Sequence, residues 1–321
     1  MQCRLQPIGK LYIYKCSWLL TDMTMANQEK IKSAGSRTPL FGFWMILFVW
    51  IGHDPIYSQQ GVTSVTADQL EWITEEIEEG VYWKKYRGDD LNDARLSINL
   101  ISIDLNRAQI GIKLAYNQTM LTQTSEFAEQ YQTIAAINGS FFSTESGGSV
   151  VYIKEDEELV ARGAAGRNVY TENGGIGWNS DFQPIIMERP EDGWENVTIS
   201  TLLTAGPLLI FENTLREFRD DPFHQNRHPR SAVGITGENH LLLVTVDGRS
   251  FQSYGMTIPE LAQFFSELGA THALNLDGGG STAMWIHGGA GVVNYPSNNL
   301  EFDHDGERPV ANALLIIKRT P

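Results

Sequence analysis

Leu241-Leu242-Leu243-Val244-Thr245-Val246 is a nearly continuous apolar run. It leaves no polar face for water, so the strand it forms must be covered on both sides. A helix follows. Thr257 and Glu260 have the spacing of a capping box, in which the threonine hydroxyl accepts from an orphan N–H and the glutamate reaches back to the cap. Ile258, Leu261, Phe265 and Leu268 then form one apolar face, and Gly269 supplies the stop. Ala273-Leu274-Asn275-Leu276 is a second strand. Strand, helix and strand over 240–277 predict a β-α-β unit whose strands are parallel neighbours joined by a right-handed crossover. Parallel strands end on one edge of their sheet, so Asp247 and Asp277, which close the two runs, are expected together there. Open sheets place ligands at the carboxyl ends of strands. Asn138 closes the apolar run 134–137 and joins that edge if its strand is also parallel.

Asn275-Leu276-Asp277-Gly278-Gly279-Gly280-Ser281-Thr282 is the strongest local signal. Consecutive glycines cost backbone entropy, and a stable fold keeps them where the chain needs positive φ or a ligand must approach the backbone. Their N–H groups can form an anion-binding nest. The competing reading is a merely flexible turn. Neither G-x-G-x-x-G nor G-x-x-x-x-G-K-[ST] occurs, so dinucleotide and P-loop readings fail. Gly279-Gly280-Ser281-Thr282-Ala283 is a near miss to the nucleophile elbow. An elbow serine sits directly after its strand, whereas several residues intervene here, so Ser281 is expected to donate a hydrogen bond instead. His228-Pro229-Arg230 and Asp247-Gly248-Arg249 supply guanidinium groups that match phosphate oxygens bidentately. Glu307-Arg308-Pro309 with Asn312 is either a third anion-handling group or plain loop chemistry. Trp178, Trp194 and Trp285 either stack on a sugar ring or pack in the core. His224 and His228 lack the helical setting of a metal pair.

Elsewhere, Leu70, Ile73 and Ile77 have helical spacing, which predicts an amphipathic helix over 66–79 stopped by Gly80. Strands are expected at 97–101, 110–113 and 134–137, a short helix at 124–131, and short strands separated by turns over 143–200. The fold class expected is α/β in the broad sense that includes α+β. It is a single domain over 61–321 with a mixed β-sheet core containing the β-α-β unit at 240–277, helices packed on it, and extra short antiparallel strands.

The 321 residues carry a net charge of −15, which disfavours nucleic acid as a partner. Cys3 and Cys16 are the only cysteines, so neither a disulfide framework nor a cysteine-ligated zinc site is available to the body of the chain. Residues 1–60 differ in kind: Arg4, Lys10, Lys15, Lys30, Lys32 and Arg37 outnumber Asp22, Glu29 and Asp54. The apolar run from Leu40 to Ile51 is shorter than the ~20 residues of a spanning helix and fits the h-region of a secretory signal. The alternatives are a retained N-terminal anchor and a buried helix. The first two imply a secreted, periplasmic or cell-surface protein that meets a membrane only through this segment.

Six motifs recur in order here: Ala136-Ile137-Asn138-Gly139-Ser140-Phe141-Phe142, Ala205-Gly206-Pro207-Leu208-Leu209, Pro229-Arg230-Ser231-Ala232-Val233-Gly234, Val246-Asp247-Gly248-Arg249, Asn275-Leu276-Asp277-Gly278-Gly279-Gly280-Ser281 and Arg308-Pro309-Val310-Ala311-Asn312. Together they resemble the phosphodiester glycosidase domain over about residues 75–318. Ser140 stands where that family commonly has glycine, and Ser231 where it commonly has threonine. The resemblance implies hydrolysis of a sugar-1-phosphodiester to free sugar and a phosphomonoester, with a carbohydrate phosphodiester of the cell envelope or exterior as substrate. It also implies export.

On this reading Asp277 is base or nucleophile and Asp247 its partner. The two carboxylates are expected to push each other's pKa apart. Arg230 and Arg249 clamp phosphate, and Gly278, Gly279 and Gly280 donate N–H groups. Ser281, Thr282 and Arg308 also contact substrate, and Asn138 orients the sugar or water. The chemistry requires no cofactor; a structural Ca²⁺ on oxygen ligands is compatible with the acidic surface, although no EF-hand-like spacing occurs. Two other classes stay open: a non-catalytic glycan-binding module and a serine hydrolase using Ser281.

Overall fold

The computed structural model describes residues 2–8, 11–17, 65–163, 172–288 and 291–319. Gln2–Ile8 and Leu11–Ser17 pair as an antiparallel hairpin within the unit Met1–Gln59. The apolar run Leu40–Ile51 lies outside the described residues. Among them, no helix is long and apolar enough to cross a membrane. The second compact unit is Gln60–Pro321.

Its largest sheet places strands in the order Thr214–Leu215, Leu208–Phe211, Ala270–Asn275, Arg230–Thr236, His240–Val246, Leu96–Asp104, Val81–Gly88 and Ile73–Glu78. Every neighbouring pair is antiparallel. The expected parallel neighbours are therefore corrected. Arg230–Thr236 lies between His240–Val246 and Ala270–Asn275 and pairs antiparallel with each. Two strands antiparallel to the same middle strand are parallel to one another, so their carboxyl ends still share an edge. The middle strand adds its own start to that edge, with Arg230 opposite Val246.

The apolar run 241–246 is buried on both faces, but by two different layers. Leu241 and Leu243 join Val233, Ile101 and Ile103 in a core shared with the two other sheets of this unit. Leu242, Val244 and Val246 face a second core with Ile258, Leu261, Phe264 and Phe265 of helix Ile258–Glu267. That helix begins on the expected box: Thr257 Oγ1 accepts from the Glu260 N–H at 3.2 Å, and the Glu260 carboxylate accepts from the Thr257 N–H at 2.9 Å. It packs so closely that a Cβ on Gly234 would lie 2.6 Å from Phe265.

The second sheet runs Gly291–Val292, Met284–Ile286, Thr133–Asn138, Asn312–Lys318 and Ile110–Tyr116. The third, Ile185–Glu188, Gly174–Trp178, Thr201–Ala205, Tyr152–Glu155 and Glu158–Arg162, contains the short strands expected over 143–200. Helix Thr124–Gln130 is also where the sequence puts it. The helix expected over 66–79 is not formed. A 3-10 turn at Ala67–Gln69 leads into the edge strand Ile73–Glu78, whose Ile73 is 67% exposed. Gly80, at φ +73°, turns that strand into a hairpin with Val81–Gly88, because pairing with a buried strand outweighs a weak helical period.

Candidate active site

The edge assembled by strands 230–236, 240–246 and 270–275 meets the end of strand Thr133–Asn138 from the second sheet. The Asp277 N–H donates to the Gly139 carbonyl at 3.0 Å, and Asn138 Nδ2 donates to the Asp277 carbonyl at 2.7 Å. Asn138 Oδ1 accepts from the Ser231 hydroxyl at 2.6 Å and from the Ala283 N–H at 3.1 Å. The Asn138 side chain is thus wholly buried and engaged within the protein. It is expected from the sequence to orient sugar or water; in this structure its hydrogen bonds join the two sheets and fix the backbone that carries Asp277. Asn312 does the same for the next turn, with Oδ1 accepting from the Ser140 N–H at 2.6 Å and Nδ2 donating to the Ser149 hydroxyl at 2.7 Å.

Asp277 is half-buried and opens the triple-glycine loop. The missing Cβ atoms of this loop have specific neighbours. At Gly278 a Cβ would stand 2.7 Å from the Pro229 carbonyl oxygen, and at Gly279 (φ +62°) 2.9 Å from Arg249 Nη2. At Gly280 it would stand 2.6 Å from Arg308 Cζ. Two guanidinium groups therefore lie directly against the glycine backbone, which only glycine permits. The expected set of loop donors is reduced, because the Gly279 N–H already donates to the Pro229 carbonyl at 2.8 Å.

Arg249 is exposed at φ +60°, and Arg308 Nε donates to Asn298 Oδ1 at 2.9 Å. Among the described residues neither forms an ion pair. Glu307, beside Arg308, is turned away: its carboxylate accepts from the Ser125 N–H and hydroxyl at 2.9 and 2.6 Å, and burial raises its pKa. The expected clamp Arg230 is differently placed. It is 2% exposed, donates from Nε to the Met256 carbonyl and from Nη2 to the carbonyls of Phe223 and Asn226, and lies over the Phe223 ring. Burial brings its pKa down to about 10, with Glu260 opposing and Arg249 assisting. Burial lowers the pKa of His228, and the nearby Arg230 and Arg249 add to that effect.

Asp247, expected as the partner of Asp277, lies inside the protein. It is 1% exposed, and its oxygens accept from the Ser97 hydroxyl (2.7 Å), the Tyr295 N–H (2.8 Å) and Asn294 Nδ2 (3.2 Å). Burial pushes its pKa up to about 6, against the three donors and His304. The cause is desolvation and not a second carboxylate, so Asp247 acts on the site by holding the loops that carry Arg249 and Tyr295. The partners Ser97, Asn294 and Tyr295 had no signal in the sequence, since a lone serine and an Asn-Tyr pair far apart in the chain carry no motif.

Ser281 and Thr282 are 1% exposed, with hydroxyls that have no hydrogen-bond partner. Among the described residues no histidine is hydrogen-bonded to the Ser281 hydroxyl. Trp178, Trp194 and Trp285 are core residues at 4, 2 and 7% exposure. Among the described residues no group of three or more His, Cys, Asp or Glu comes together as a metal site. The cavities of about 470 Å³ lie away from this edge; one is lined by His240, Glu238 and Gly269 at the opposite ends of the same strands.

A family model described as phosphodiester glycosidase matches residues 131–317, which include Asn138, Asp247, Asp277, the glycine loop and all three arginines. The human N-acetylglucosamine-1-phosphodiester alpha-N-acetylglucosaminidase is 26% identical over 178 residues, 52% of this chain and 34% of that protein. An uncharacterized prophage-derived protein of Bacillus subtilis is 40% identical over 90 residues, 28% of this chain and 13% of that protein. The chain therefore spans well under half the length of these curated relatives. The catalytic domain of the zebrafish N-acetylglucosamine-1-phosphodiester alpha-N-acetylglucosaminidase, auto-inhibited by its pro-peptide, shares the fold. Its TM-score is 0.59 at 19% identity, over 78% of this chain and 89% of that one. A hypothetical protein from Synechocystis aligns with a TM-score of 0.57 at 16% identity, over 77% and 64%.

Proposed function

Because the chain belongs to the phosphodiester glycosidase family, we propose that it hydrolyses a sugar-1-phosphodiester, of which an α-N-acetylglucosamine-1-phosphodiester is the first to test. One observation carries the reading: the half-buried carboxylate of Asp277 opens a glycine loop against which the Arg249 and Arg308 guanidinium groups lie. Phosphate seats against the glycines and arginines, with the sugar C1 toward Asp277. As base, Asp277 takes a proton from water as the water oxygen bonds to C1 and the C1–O bond to phosphate breaks. As nucleophile, it bonds to C1 first and water then releases the sugar. A phosphate leaving group is a weak base, so protonation by a second carboxylate matters little and stabilisation of its charge matters more. The fully buried Asp247 is compatible with this division of labour. The reading includes export through the Leu40–Ile51 segment.

The test is release of free sugar from α-N-acetylglucosamine 1-(methyl phosphate) and related diesters. Asp277→Asn should reduce turnover by about 10²–10⁴-fold with Tm nearly unchanged. An Asn variant within tenfold of wild type refutes the role. Inversion or retention at C1, followed by NMR, separates base from nucleophile. Saturable binding without product would favour the glycan-binding module.

A further inference from the structure

Arg249 is not the last cation on this edge. Beyond strand 240–246 the sheet continues to 96–104 and 81–88, whose start and end lie on the same side, with Val246 opposite Ile98 and Gly88 opposite Leu96. There a cavity of about 360 Å³ is lined by Arg87, Gly88, Asp89, Arg95, Phe251 and Gln252. Arg95 lies 4.0 Å over the Phe251 ring and donates to the Phe251 carbonyl at 3.2 Å, and Arg87 lies 5.0 Å over Phe302. Among the described residues neither arginine forms an ion pair, in a chain of net charge −15 that has acidic partners in excess. Among the described residues Asp89 is the one carboxylate lining the cavity, against two arginines. Phe251 is 71% exposed, a large apolar ring held in water by the guanidinium stacked on it.

This cavity is joined rigidly to the catalytic edge. Arg249 and Phe251 sit on one loop, and the Ser253 hydroxyl donates to the Asp247 carbonyl at 2.7 Å while accepting from the Ser97 N–H at 3.0 Å. The Tyr254 N–H donates to the Arg95 carbonyl at 2.9 Å. From the strand ending near Asp277 to those bearing Arg95 and Arg87 is three and four strand spacings, about 14 and 19 Å. A single phosphate seated at the glycines does not reach that far; a ligand that occupies both places extends from the leaving side of the phosphodiester and carries a second anionic group.

Resting on the function proposed above, we propose that the aglycone is itself a sugar phosphate. The substrate is then an oligomeric or polymeric sugar phosphodiester, and Arg87, Arg95 and Phe251 form its next subsite. The arginines hold the second phosphate, and the ring face of Phe251 supports a sugar. Binding to the Asp277→Asn variant tests this by calorimetry, without turnover. The probes are α-N-acetylglucosamine 1-(methyl phosphate), a two-unit α-N-acetylglucosamine-1-phosphate oligomer with two phosphodiesters, and the same oligomer with a uronate carboxylate as its second anion. The two-phosphate probe should bind on the order of tenfold tighter than the single-phosphate one, since each charge-assisted contact retained is worth about that much. Arg87→Ala with Arg95→Ala should abolish the difference and leave the single-phosphate affinity unchanged; Phe251→Ala should reduce it. The preference should shrink as salt rises, because these guanidinium groups are screened. Equal affinity for one and two phosphates overturns the proposal, as does a preference that survives the double variant, or no binding of any probe. A tighter uronate probe reassigns the second anion and overturns the phosphate assignment. If the subsite preference holds while wild type releases no sugar, the subsite stands and the hydrolase reading falls.

Discussion

Arg230 and Arg249 stand nineteen positions apart in the sequence and look interchangeable there, yet the structure gives them opposite consequences on truncation. Arg230→Ala removes donors to three backbone carbonyls, at 2.9 Å (Met256), 2.8 Å (Phe223) and 3.1 Å (Asn226). At about 1.5–2 kcal/mol for each charge-assisted bond, the loss is about 5 kcal/mol. Against it stands the cost of burying the cation. A pKa brought from 12.5 down to about 10 corresponds to about 3 kcal/mol, at 1.36 kcal/mol per pH unit, which the variant recovers. The space left by the buried stem beside Phe223 adds about 1–2 kcal/mol of lost packing. The net is a destabilisation of about 3–4 kcal/mol. At about 2–4 °C per kcal/mol for a domain of this size, Tm should fall by about 6–16 °C. Arg249→Ala removes an exposed side chain, so its Tm should stay within about 2 °C of wild type while kcat/KM on a phosphodiester falls at least tenfold. Circular dichroism melts and initial rates on one diester read both quantities. If Arg230→Ala melts with the wild type, or Arg249→Ala loses as much stability as Arg230→Ala, the division into a structural and a phosphate-facing arginine is wrong.

Gly278→Ala should lower Tm, since its Cβ meets the Pro229 carbonyl; Gly280→Ala meets the flexible Arg308 guanidinium instead, so melts should show a stable fold and rates a raised KM. Asn138→Ala leaves the Ser231 hydroxyl and the Ala283 N–H without their buried acceptor, and denaturant unfolding should show a loss of about 2–4 kcal/mol. Asp247 sets a pH dependence. Its folded pKa of about 6 exceeds the unfolded 3.8, so the folded state holds that proton more tightly. The stability this confers is fully present below pH 3.8 and lost as pH rises through about 6, a change of about 3 kcal/mol. Asp247→Asn should remove that slope from unfolding midpoints measured across pH 4–7, and an unchanged slope would assign it to another group.

What was legible in the sequence followed from local rules. The capping box at Thr257, the stop at Gly269 and the double-sided burial of 241–246 each depend on residues close together in the chain, and each is present. The error over 66–79 has the same root. Leu70, Ile73 and Ile77 satisfy a helical period by coincidence, and what decides the segment is pairing with Val81–Gly88, which local spacing does not encode. The insertion of Arg230–Thr236 between the two strands of the expected β-α-β unit is invisible for the same reason: that strand comes before both in sequence.

The candidate site shows why composition points to an edge more readily than to roles. Asp247 and Asp277 end their strands on the same side, as expected, but sequence cannot say which carboxylate the second sheet and the 294–295 loop will cover. Ser97 and Asn294 cover the Asp247 carboxylate, whereas Asn138 bonds to the Asp277 backbone and Asp277 itself is only half-buried. The arginines divide likewise. Arg230 lies within a paired strand and is drawn under the 222–226 turn, whereas Arg249 lies beyond its strand at positive φ and is carried out to the glycines. Both Asp247 and Arg249 lie beyond the last paired residue Val246, and it is the partners each finds that separate them: Ser97, Asn294 and Tyr295 hold the first inside, while the second is exposed. Arg95, one residue before its strand, resembles Arg249 in forming no ion pair among the described residues.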